Sequence, residues 1–312
     1  MRIGIDLGGT KIEGIAIGDA GDVRLRKRIV APRDDYAETL AAVAGLVDEI
    51  ERDLGDRGTV GVGMPGTISP ATGLVKNANS TWLNGQRLAD DLPSRLGRPV
   101  RFANDANCFA LSEAVDGAAA GASPVFGVII GTGTGGGVVI DGRVLRGAHG
   151  FAAEIGHFQV DPDGPMCACG ERGHWEAVAS GTALGALGRA AALAGRAPSV
   201  LARVGGDVDA VRGTHVGDAA RAGAPDAIEL LHAYAAQVAV GLVALVNIFD
   251  SELVVVSGGL VELGALLLDP LRASFAGRLE GAAYRPVVPV EPADLGADAG
   301  VVGAAVRART AG

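Results

Sequence analysis

A short segment near the N-terminus combines the groups that phosphate chemistry needs. Its sequence is Asp6-Leu7-Gly8-Gly9-Thr10-Lys11. Glycines let backbone N–H groups approach a phosphate, and the Thr10 hydroxyl and the Lys11 ammonium add donors. The Asp6 carboxylate suits Mg²⁺, a cation that prefers oxygen ligands. A second glycine-rich turn, residues 131–137, lies in the middle of the chain. Each turn alone is also compatible with an ordinary hairpin, whereas the pair favours a site for a nucleotide triphosphate.

Three acidic residues and one amide could serve a polar substrate. Asn104 and Asp105 follow a short predicted strand, and ligands of α/β proteins usually bind at the carboxyl edge of the sheet. Asp105 could therefore act as general base on a hydroxyl during phosphoryl transfer, although both residues are also good helix caps. Glu154 and Glu176 could accept hydrogen bonds from sugar hydroxyls, or they could be solvated acids beside a metal loop.

Two thiols and two imidazoles lie close together in the sequence. Cys167, Cys169 and His174 fall within eight residues, and His157 lies ten residues before Cys167. Two Cys and two His fit a closed tetrahedral Zn²⁺ site, which leaves no open coordination position. The sequence therefore predicts a structural zinc ion, and the alternative is a pair of exposed thiols beside unrelated histidines.

Strands alternate with helices along the chain, which predicts a largely parallel sheet covered by helices. The strand–turn–strand pattern of the first segment returns at 125–140, so we expect a duplicated α/β unit with a cleft between two lobes. The predicted small lobe comprises residues 1–117 together with a C-terminal helix, 300–312. The predicted large lobe comprises residues 118–299, with the zinc loop and the second glycine-rich turn. Further predicted elements are helices at 36–54, 104–115 and 226–249 and strands at 60–64, 100–102 and 253–256.

The composition excludes several classes of protein. The 312 residues carry 27 basic and 36 acidic side chains, a net charge of −9, and no basic stripe, so nucleic acid is not expected as a partner. Three cysteines are too few for a disulfide framework and indicate a reducing compartment. The apolar stretch between Glu229 and Asp250 contains His232, Gln237 and Asn247, which favours a buried helix over a membrane span. We therefore expect a cytoplasmic protein without a membrane partner.

The motifs occur in the order seen in ROK-family sugar kinases, and the chain resembles that family from residue 3 to about residue 303. The motifs are 6–11, Asn104-Asp105, Glu154-Ile155-Gly156-His157 and the Cys167-Ala168-Cys169-Gly170 loop. The resemblance implies an actin-like ATPase fold of the hexokinase type (ribonuclease H-like, with two lobes and an interlobe cleft). It also implies a homodimer and transfer of a phosphoryl group from MgATP to a hexose hydroxyl, usually the 6-hydroxyl of glucose.

The resemblance also implies a role for each matching residue. Asp105 would be the catalytic base, and Asp6 would help to place Mg²⁺. Sugar would be bound by Gly66, Asn79, Asn104, Asp105, Glu154, His157 and Glu176. ATP would be bound by Asp6, Gly8, Gly9, Thr10, Lys11, Thr132, Gly133, Gly258 and Gly259. Zinc would be bound by His157, Cys167, Cys169 and His174, so that His157 contacts both sugar and metal.

One residue departs from the family pattern, since His174 stands where the family usually has a third cysteine. We expect zinc to be retained by a Cys₂His₂ set, with weaker binding in mild acid because protons compete for two imidazoles. Other candidate substrates are N-acetylglucosamine, mannose and fructose. A different class, a sugar-binding ROK regulator without catalysis, is disfavoured because only five residues precede Asp6. Inorganic polyphosphate stays open as an alternative donor to ATP.

Overall fold

The computed structural model describes residues 1–279, 286–296 and 299–307. Its strands are β1 (Arg2–Leu7), β2 (Lys11–Ile17), β3 (Val23–Val30), β4 (Thr59–Met64), β5 (Thr67–Ile68), β6 (Val75–Lys76), β7 (Val100–Asn104), β8 (Val125–Ile130), β9 (Thr134–Ile140), β10 (Arg143–Val144), β11 (Leu253–Ser257) and β12 (Val290–Pro292). Its α-helices are α1 (Tyr36–Leu54), α2 (Leu88–Leu96), α3 (Asp105–Asp116), α4 (Glu176–Ala179), α5 (Gly181–Leu193), α6 (Pro198–Ala202), α7 (Gly213–Arg221), α8 (Pro225–Phe249), α9 (Ala265–Arg278) and α10 (Ala299–Arg307).

The chain divides into two compact units. The first consists of residues 1–121, 137–153 and 294–312, and the second of residues 122–136 and 154–293. The first unit contains a five-stranded sheet in the order β3-β2-β1-β4-β7. Strands β1, β4 and β7 are parallel, and β2 is antiparallel to both of its neighbours, β1 and β3. This parallel portion brings the carboxyl ends of β1, β4 and β7 to one edge, where the sequence places Asp6 and Asn104.

Helices cover the sheet of the first unit on both faces. On one face, the fully buried Ile5 packs with Leu46 and Ile50 of α1, and a Cβ atom on Gly14 would meet both of these α1 side chains. On the other face α10 approaches so closely that a Cβ atom on Gly4 would lie 2.2 Å from the Val301 carbonyl oxygen. Glycine is therefore required at position 4, and the close approach of α10 fixes the ends of β1 and β4.

The second sheet has the order β10-β9-β8-β11-β12, with β8, β11 and β12 parallel. The division between the units falls inside β9, whose first residues, 134–136, belong to the second unit. The long helix α8 packs against α9 and α7 in that unit. Among the described residues α8 is the one helix long and apolar enough to cross a membrane, but Leu231, Tyr234 and Val238 are buried in the protein core. These contacts identify α8 as a core helix, as predicted.

The structure corrects the sequence prediction in two places. Only residues 131–133 form the second turn, because Gly135–Gly137 already belong to β9. The close approach requires glycine there, since a Cβ atom on Gly136 would lie 2.6 Å from the Gly127 carbonyl oxygen. The predicted large lobe, 118–299, includes residues 137–153, but this segment belongs to the first unit. Gly137 at its start packs on α3 of that unit. The predicted C-terminal helix begins at Ala299, and residues 308–312 of that prediction lie outside the described residues.

Candidate active site

The first glycine turn is a tight connection between β1 and β2. The Gly8 N–H donates to the Lys11 carbonyl oxygen at 3.0 Å, and a Cβ atom on Gly8 would lie 2.9 Å from the same oxygen. Thr10 is exposed at the tip of this turn, and the Lys11 ammonium lies 3.4 Å from Glu13 Oε2. The turn therefore presents a hydroxyl and an ammonium beside the end of β1, as the sequence predicts.

Two carboxylates meet at the edge of the first sheet. Burial, with a smaller contribution from the charge of Asp105, raises the pKa of Asp6 to about 6, while Lys11 opposes the shift. Asp105 is open to solvent on one side, but the surrounding protein desolvates it and raises its pKa, against the effect of hydrogen bonds from Ala106 and Asn104. A raised pKa makes Asp105 a stronger proton acceptor than an ordinary surface aspartate.

Asn104 is the N-cap of α3, which is the capping role that the sequence left open. Its Oδ1 accepts a hydrogen bond from the Ala106 N–H at 2.9 Å, and its Nδ2 donates to the Gly66 carbonyl oxygen at 3.1 Å. A Cβ atom on Gly66 would lie 2.3 Å from the Lys76 carbonyl oxygen, at a positive φ of 72°. Asn104 and Gly66 are thus adjacent, whereas Asn79 lies on an exposed loop.

The second glycine turn is held by the segment that follows the Cys/His cluster. Glu176 Oε2 accepts a hydrogen bond from the Thr134 N–H at 2.9 Å. Thr134 Oγ1 donates to the Ala179 carbonyl oxygen at 3.0 Å. Two further bonds join Gly181 N to Gly131 O at 2.7 Å and Thr182 Oγ1 to Thr132 O at 2.8 Å. Glu176, to which the family resemblance assigns a sugar contact, therefore already has one oxygen committed to Thr134 at the start of β9.

A cavity of about 1090 Å³ lies beside this turn in the second unit, and Thr132 and Gly259 are among its lining residues. The sequence prediction missed the rest of its wall, which includes Gly181, Gly185, Arg189, Arg212, Gly213, Thr214 and Gly217. The helices α5 and α7 line the cavity, and each carries two glycines four residues apart. This Gly-x-x-x-Gly pattern is the sequence signal from which the cavity wall could have been predicted. Gly258 lies at the end of β11, and a Cβ atom on it would be 2.1 Å from the Ile130 carbonyl oxygen.

The arginines of this cavity are fixed by carbonyl groups of the protein. Arg189 donates to the Val211 carbonyl oxygen at 2.8 Å, and Arg212 donates to the same oxygen at 2.9 Å. Arg221 pairs with Asp218 at 3.3 Å. Because Asp209, Asp218 and Glu262 also line the cavity, the three arginines face three acids and the wall has no net charge. Such a wall suits a neutral nucleoside better than a long polyanion.

The four predicted metal ligands come together in the second unit. One ligand atom from each of His157, Cys167, Cys169 and His174 lies within 4.8 Å of the others. Cys167 Sγ is 3.9 Å from His157 Nδ1, and Cys169 Sγ is 3.2 Å from His174 Nδ1. Turns at Gly170 and Gly173, both with positive φ, allow this loop to fold back on itself. The donor set and its spacing fit a tetrahedral zinc site.

His157 belongs to a single-turn helix, Ile155–His157, of which Glu154 is the N-cap residue. Both Glu154 and His157 are exposed, while Gly156 between them is buried and a Cβ atom on it would lie 2.3 Å from the Thr134 carbonyl oxygen. The predicted site residues therefore form two groups. The first unit holds Asp6, Gly8, Gly9, Thr10, Lys11, Gly66, Asn79, Asn104 and Asp105. The second unit holds Thr132, Gly133, Glu154, His157, Cys167, Cys169, His174, Glu176, Gly258 and Gly259.

Comparison with known proteins identifies sugar kinases as relatives of this chain. The chain is 38% identical to a glucokinase of Streptomyces coelicolor over 311 residues. The aligned region covers 99% of this chain and 98% of that protein. It is 36% identical to the N-acetylgalactosamine kinase AgaK of Shewanella sp. strain ANA-3, over 98% of this chain and 96% of the relative. A solved structure of a ROK family glucokinase from Streptomyces griseus, in complex with glucose and AMPPNP, superposes with a TM-score of 0.79 at 36% identity and 99% coverage of both chains.

These relatives confirm the actin-like ATPase fold with two lobes that the sequence predicts. The family description that matches the chain is "ROK family", and the match extends over residues 2–311. The chain therefore belongs to the ROK family.

Proposed function

We propose that this protein is an ATP-dependent hexose kinase that phosphorylates the 6-hydroxyl of glucose. The observation that carries the proposal is Asp105, a carboxylate of raised pKa at the carboxyl end of β7, next to Asp6. The relatives support the same activity, because a glucokinase and a glucokinase in complex with glucose and AMPPNP match the chain over nearly its whole length.

Asp105 takes the proton of the attacking sugar hydroxyl in this proposal. Desolvation favours the protonated carboxyl group, so proton transfer from the hydroxyl to Asp105 is easier than to a fully hydrated aspartate. The spare N–H of Asn104 and the backbone of Gly66 are available to neighbouring sugar hydroxyls, since only one Asn104 amide hydrogen is committed to Gly66. Further sugar contacts are assigned to Asn79, Glu154, His157 and the second oxygen of Glu176.

The triphosphate is bound by donors from both glycine turns. Thr10 and Lys11 contribute from the first turn, with the backbone of Gly8 and Gly9, and Thr132 and Gly133 contribute from the second. Gly259 lines the neutral cavity beside the second turn, which we assign to the adenosine, and Gly258 precedes it in the chain. When bound, Mg²⁺ would neutralise negative charge on the triphosphate. We assign Asp6 to hold it; its carboxylate lies near the end of β1, beside Lys11.

A structural zinc ion is proposed for the Cys/His cluster. The two imidazoles and two thiols are the donors that zinc prefers, and their ligand atoms lie within 4.8 Å of one another. Zinc at these four residues would cross-link the loop that leads into Glu176, so it would support the sugar site without taking part in proton transfer. We also propose a homodimer and a cytoplasmic location, in agreement with the family resemblance and the three free cysteines.

A second candidate is an N-acetylhexosamine kinase, favoured by the 36% identity to the N-acetylgalactosamine kinase AgaK. Both candidates use the same base and the same phosphate groups. They differ in what the site accepts at carbon 2 of the sugar and, for N-acetylgalactosamine, also in the configuration accepted at carbon 4. Mannose and fructose kinases belong to the same set of alternatives. A regulator that binds sugar without catalysis is the alternative in a different class.

The test is an assay of ADP release with MgATP and a panel of sugars: glucose, N-acetylglucosamine, N-acetylgalactosamine, mannose and fructose. We expect glucose to exceed the others by at least ~10-fold in kcat/KM, a ratio worth about 1.4 kcal/mol of transition-state binding. Asp105→Asn should lower kcat by ~10²-fold or more while sugar binding survives. Activity on N-acetylhexosamines alone would support the second candidate. Sugar binding without ADP release would identify a regulator, and normal turnover of Asp105→Asn would disprove the role of the base.

A further inference from the structure

A buried carboxylate lies next to the first glycine turn, outside the residues to which a role has been given. Glu13 is on β2, two residues after Lys11, and its side chain is only 3% exposed. It pairs across the sheet with Asp6 of β1 on one side and with Arg28 of β3 on the other. Buried acids are rare unless they are paired, so the surroundings of Glu13 need an explanation.

Three cations surround this carboxylate. Arg28 donates to Glu13 Oε2 through Nη2 at 2.8 Å and through Nε at 3.1 Å, and Arg26 donates through Nε to Oε1. The third cation is Lys11, whose Nζ is 3.4 Å from Oε2. Although burial opposes ionisation, the hydrogen bonds and charges of Arg26 and Arg28 keep the pKa of Glu13 below its ordinary value. Glu13 is therefore a carboxylate at neutral pH, with the two arginines bound to it.

The geometry points to Glu13 as a positioning residue that orients the Lys11 ammonium for the phosphoryl donor and keeps Arg26 and Arg28 away from the donor phosphates. This inference rests on the proposed function, because it takes Lys11 to contact phosphate. Lys11 is 44% exposed, so its long side chain has many conformations unless an anion restricts it. The Glu13 carboxylate restricts it on the side of the glycine turn.

The same arrangement controls two arginines that are themselves attractive to phosphate. Arg26 and Arg28 have side chains 37% and 56% exposed, and both guanidinium groups are turned toward Glu13. Without Glu13, the three cations would lose the carboxylate that they share. A bound triphosphate would then take the place of the missing carboxylate, and it would be held tightly in an orientation that does not lead to transfer. Binding and turnover should therefore respond differently to the loss of Glu13.

The experiment compares Glu13→Gln with Glu49→Gln. Glu49 is the matched control, because it pairs with Lys27 of the same strand β3 but lies on α1, and it touches neither Lys11 nor the glycine turn. For each variant we would measure kcat, the KM for MgATP, the Kd for AMPPNP by calorimetry and the melting temperature. Glu13→Asp, which keeps the charge, and Lys11→Met complete the set.

We expect Glu13→Gln to lower kcat by ~10-fold or more, the scale of a small misplacement of reacting groups, while the Kd for AMPPNP does not rise. Glu49→Gln should leave both quantities within twofold of the unsubstituted protein. In a Lys11→Met background, Glu13→Gln should lower kcat by a smaller factor than in the unsubstituted protein, because only its effect on Arg26 and Arg28 remains. Glu13→Asp should recover part of kcat, which a role in folding alone would not predict.

Three results would overturn the inference: a kcat of Glu13→Gln within twofold of the unsubstituted protein, a Kd for AMPPNP raised as far as in Lys11→Met, or full additivity with Lys11→Met. A lower melting temperature with unchanged kcat would reduce Glu13 to a structural ion pair. If the unsubstituted protein phosphorylates no sugar, the proposed function fails separately. The AMPPNP measurements then still test the inference. Binding that Lys11→Met weakens and Glu13→Gln retains supports the contact of Lys11 with the donor phosphates, and any other pattern refutes the inference.

Discussion

Asp6 should destabilise the folded protein at neutral pH when no metal is added. Its carboxyl is half-buried, and burial together with the Asp105 charge raises its pKa from 3.8 to about 6. Between these two values the folded protein keeps a proton that the unfolded chain has already lost. Because stability falls with pH wherever the native state binds more protons, the free energy of unfolding decreases as pH rises through this window.

The size of the effect follows from the width of the window. A rise from 3.8 to about 6 corresponds to about 3 kcal/mol, at ~1.4 kcal/mol for each pKa unit, and roughly 2 kcal/mol of that lies above pH 4.5. Asp6→Asn removes the titrating group but keeps its shape. We therefore expect Asp6→Asn to be more stable than the unsubstituted protein at pH 7.5 by about 2–3 kcal/mol, with a much smaller difference at pH 4.5.

The assay is urea unfolding in EDTA at half-unit steps from pH 4.5 to 8, followed by circular dichroism. Asp48→Asn serves as the control, because Asp48 is exposed on α1 and its substitution should change stability by less than ~0.5 kcal/mol at every pH. The variant Asp6→Asn should also lose catalysis, since Asp6 is the residue proposed for Mg²⁺. A stability difference independent of pH, or an Asn variant less stable at pH 7.5, would refute the reasoning.

Three further substitutions, each with a control substitution, test the second unit. His174→Ala should bind less than one zinc per chain in elemental analysis, lose that zinc faster at pH 5 than at pH 7.5 and raise the KM for sugar. The control variant His232→Ala, on the exposed side of α8, should retain the metal in the same analysis. Gly133→Ala should raise the KM for ATP by ~10-fold, because its Cβ would lie 2.3 Å from Glu176 Oε2, and Gly131→Ala, with no contact nearer than 4.0 Å, should be milder in the same kinetic assay. Gly241→Ala should lower the free energy of unfolding by ~1–3 kcal/mol, because its Cβ would overlap the Trp175 ring at 2.1 Å. Gly277→Ala, in open space on α9, should instead be neutral or stabilising by up to ~1 kcal/mol in the same melts.

The parts of the site that depend on short segments could be predicted from the sequence. The Cys/His cluster is one example, since three ligands within eight residues can only be brought together by a tight loop. Asn104 and Asp105 are another, because the end of β7 and the start of α3 are adjacent in the chain. The elements themselves were also predictable, with α1 observed over the predicted range of 36–54.

The parts that depend on distant contacts could not be predicted. Nothing local to Glu176 shows that its carboxylate accepts the Thr134 N–H, 42 residues away. The same is true of Arg189 and Arg212, whose places in the cavity are set by the packing of α5 on α7. Glu13 likewise has the sequence of an ordinary strand residue, and its burial depends on arginines from the neighbouring strand. Side-chain pairing between elements requires the three-dimensional structure.

The hydrogen bonds between residues 176–182 and residues 131–134, which comprise the second glycine turn and the first residue of β9, have a consequence for protein engineering. Four bonds join these two segments, which are separated by more than forty residues in the chain. A chimera that takes residues 131–134 from a relative with another donor preference would keep the old partners of that turn. The two segments should therefore be exchanged together, as one module, and libraries that vary only the turn should yield mostly inactive proteins.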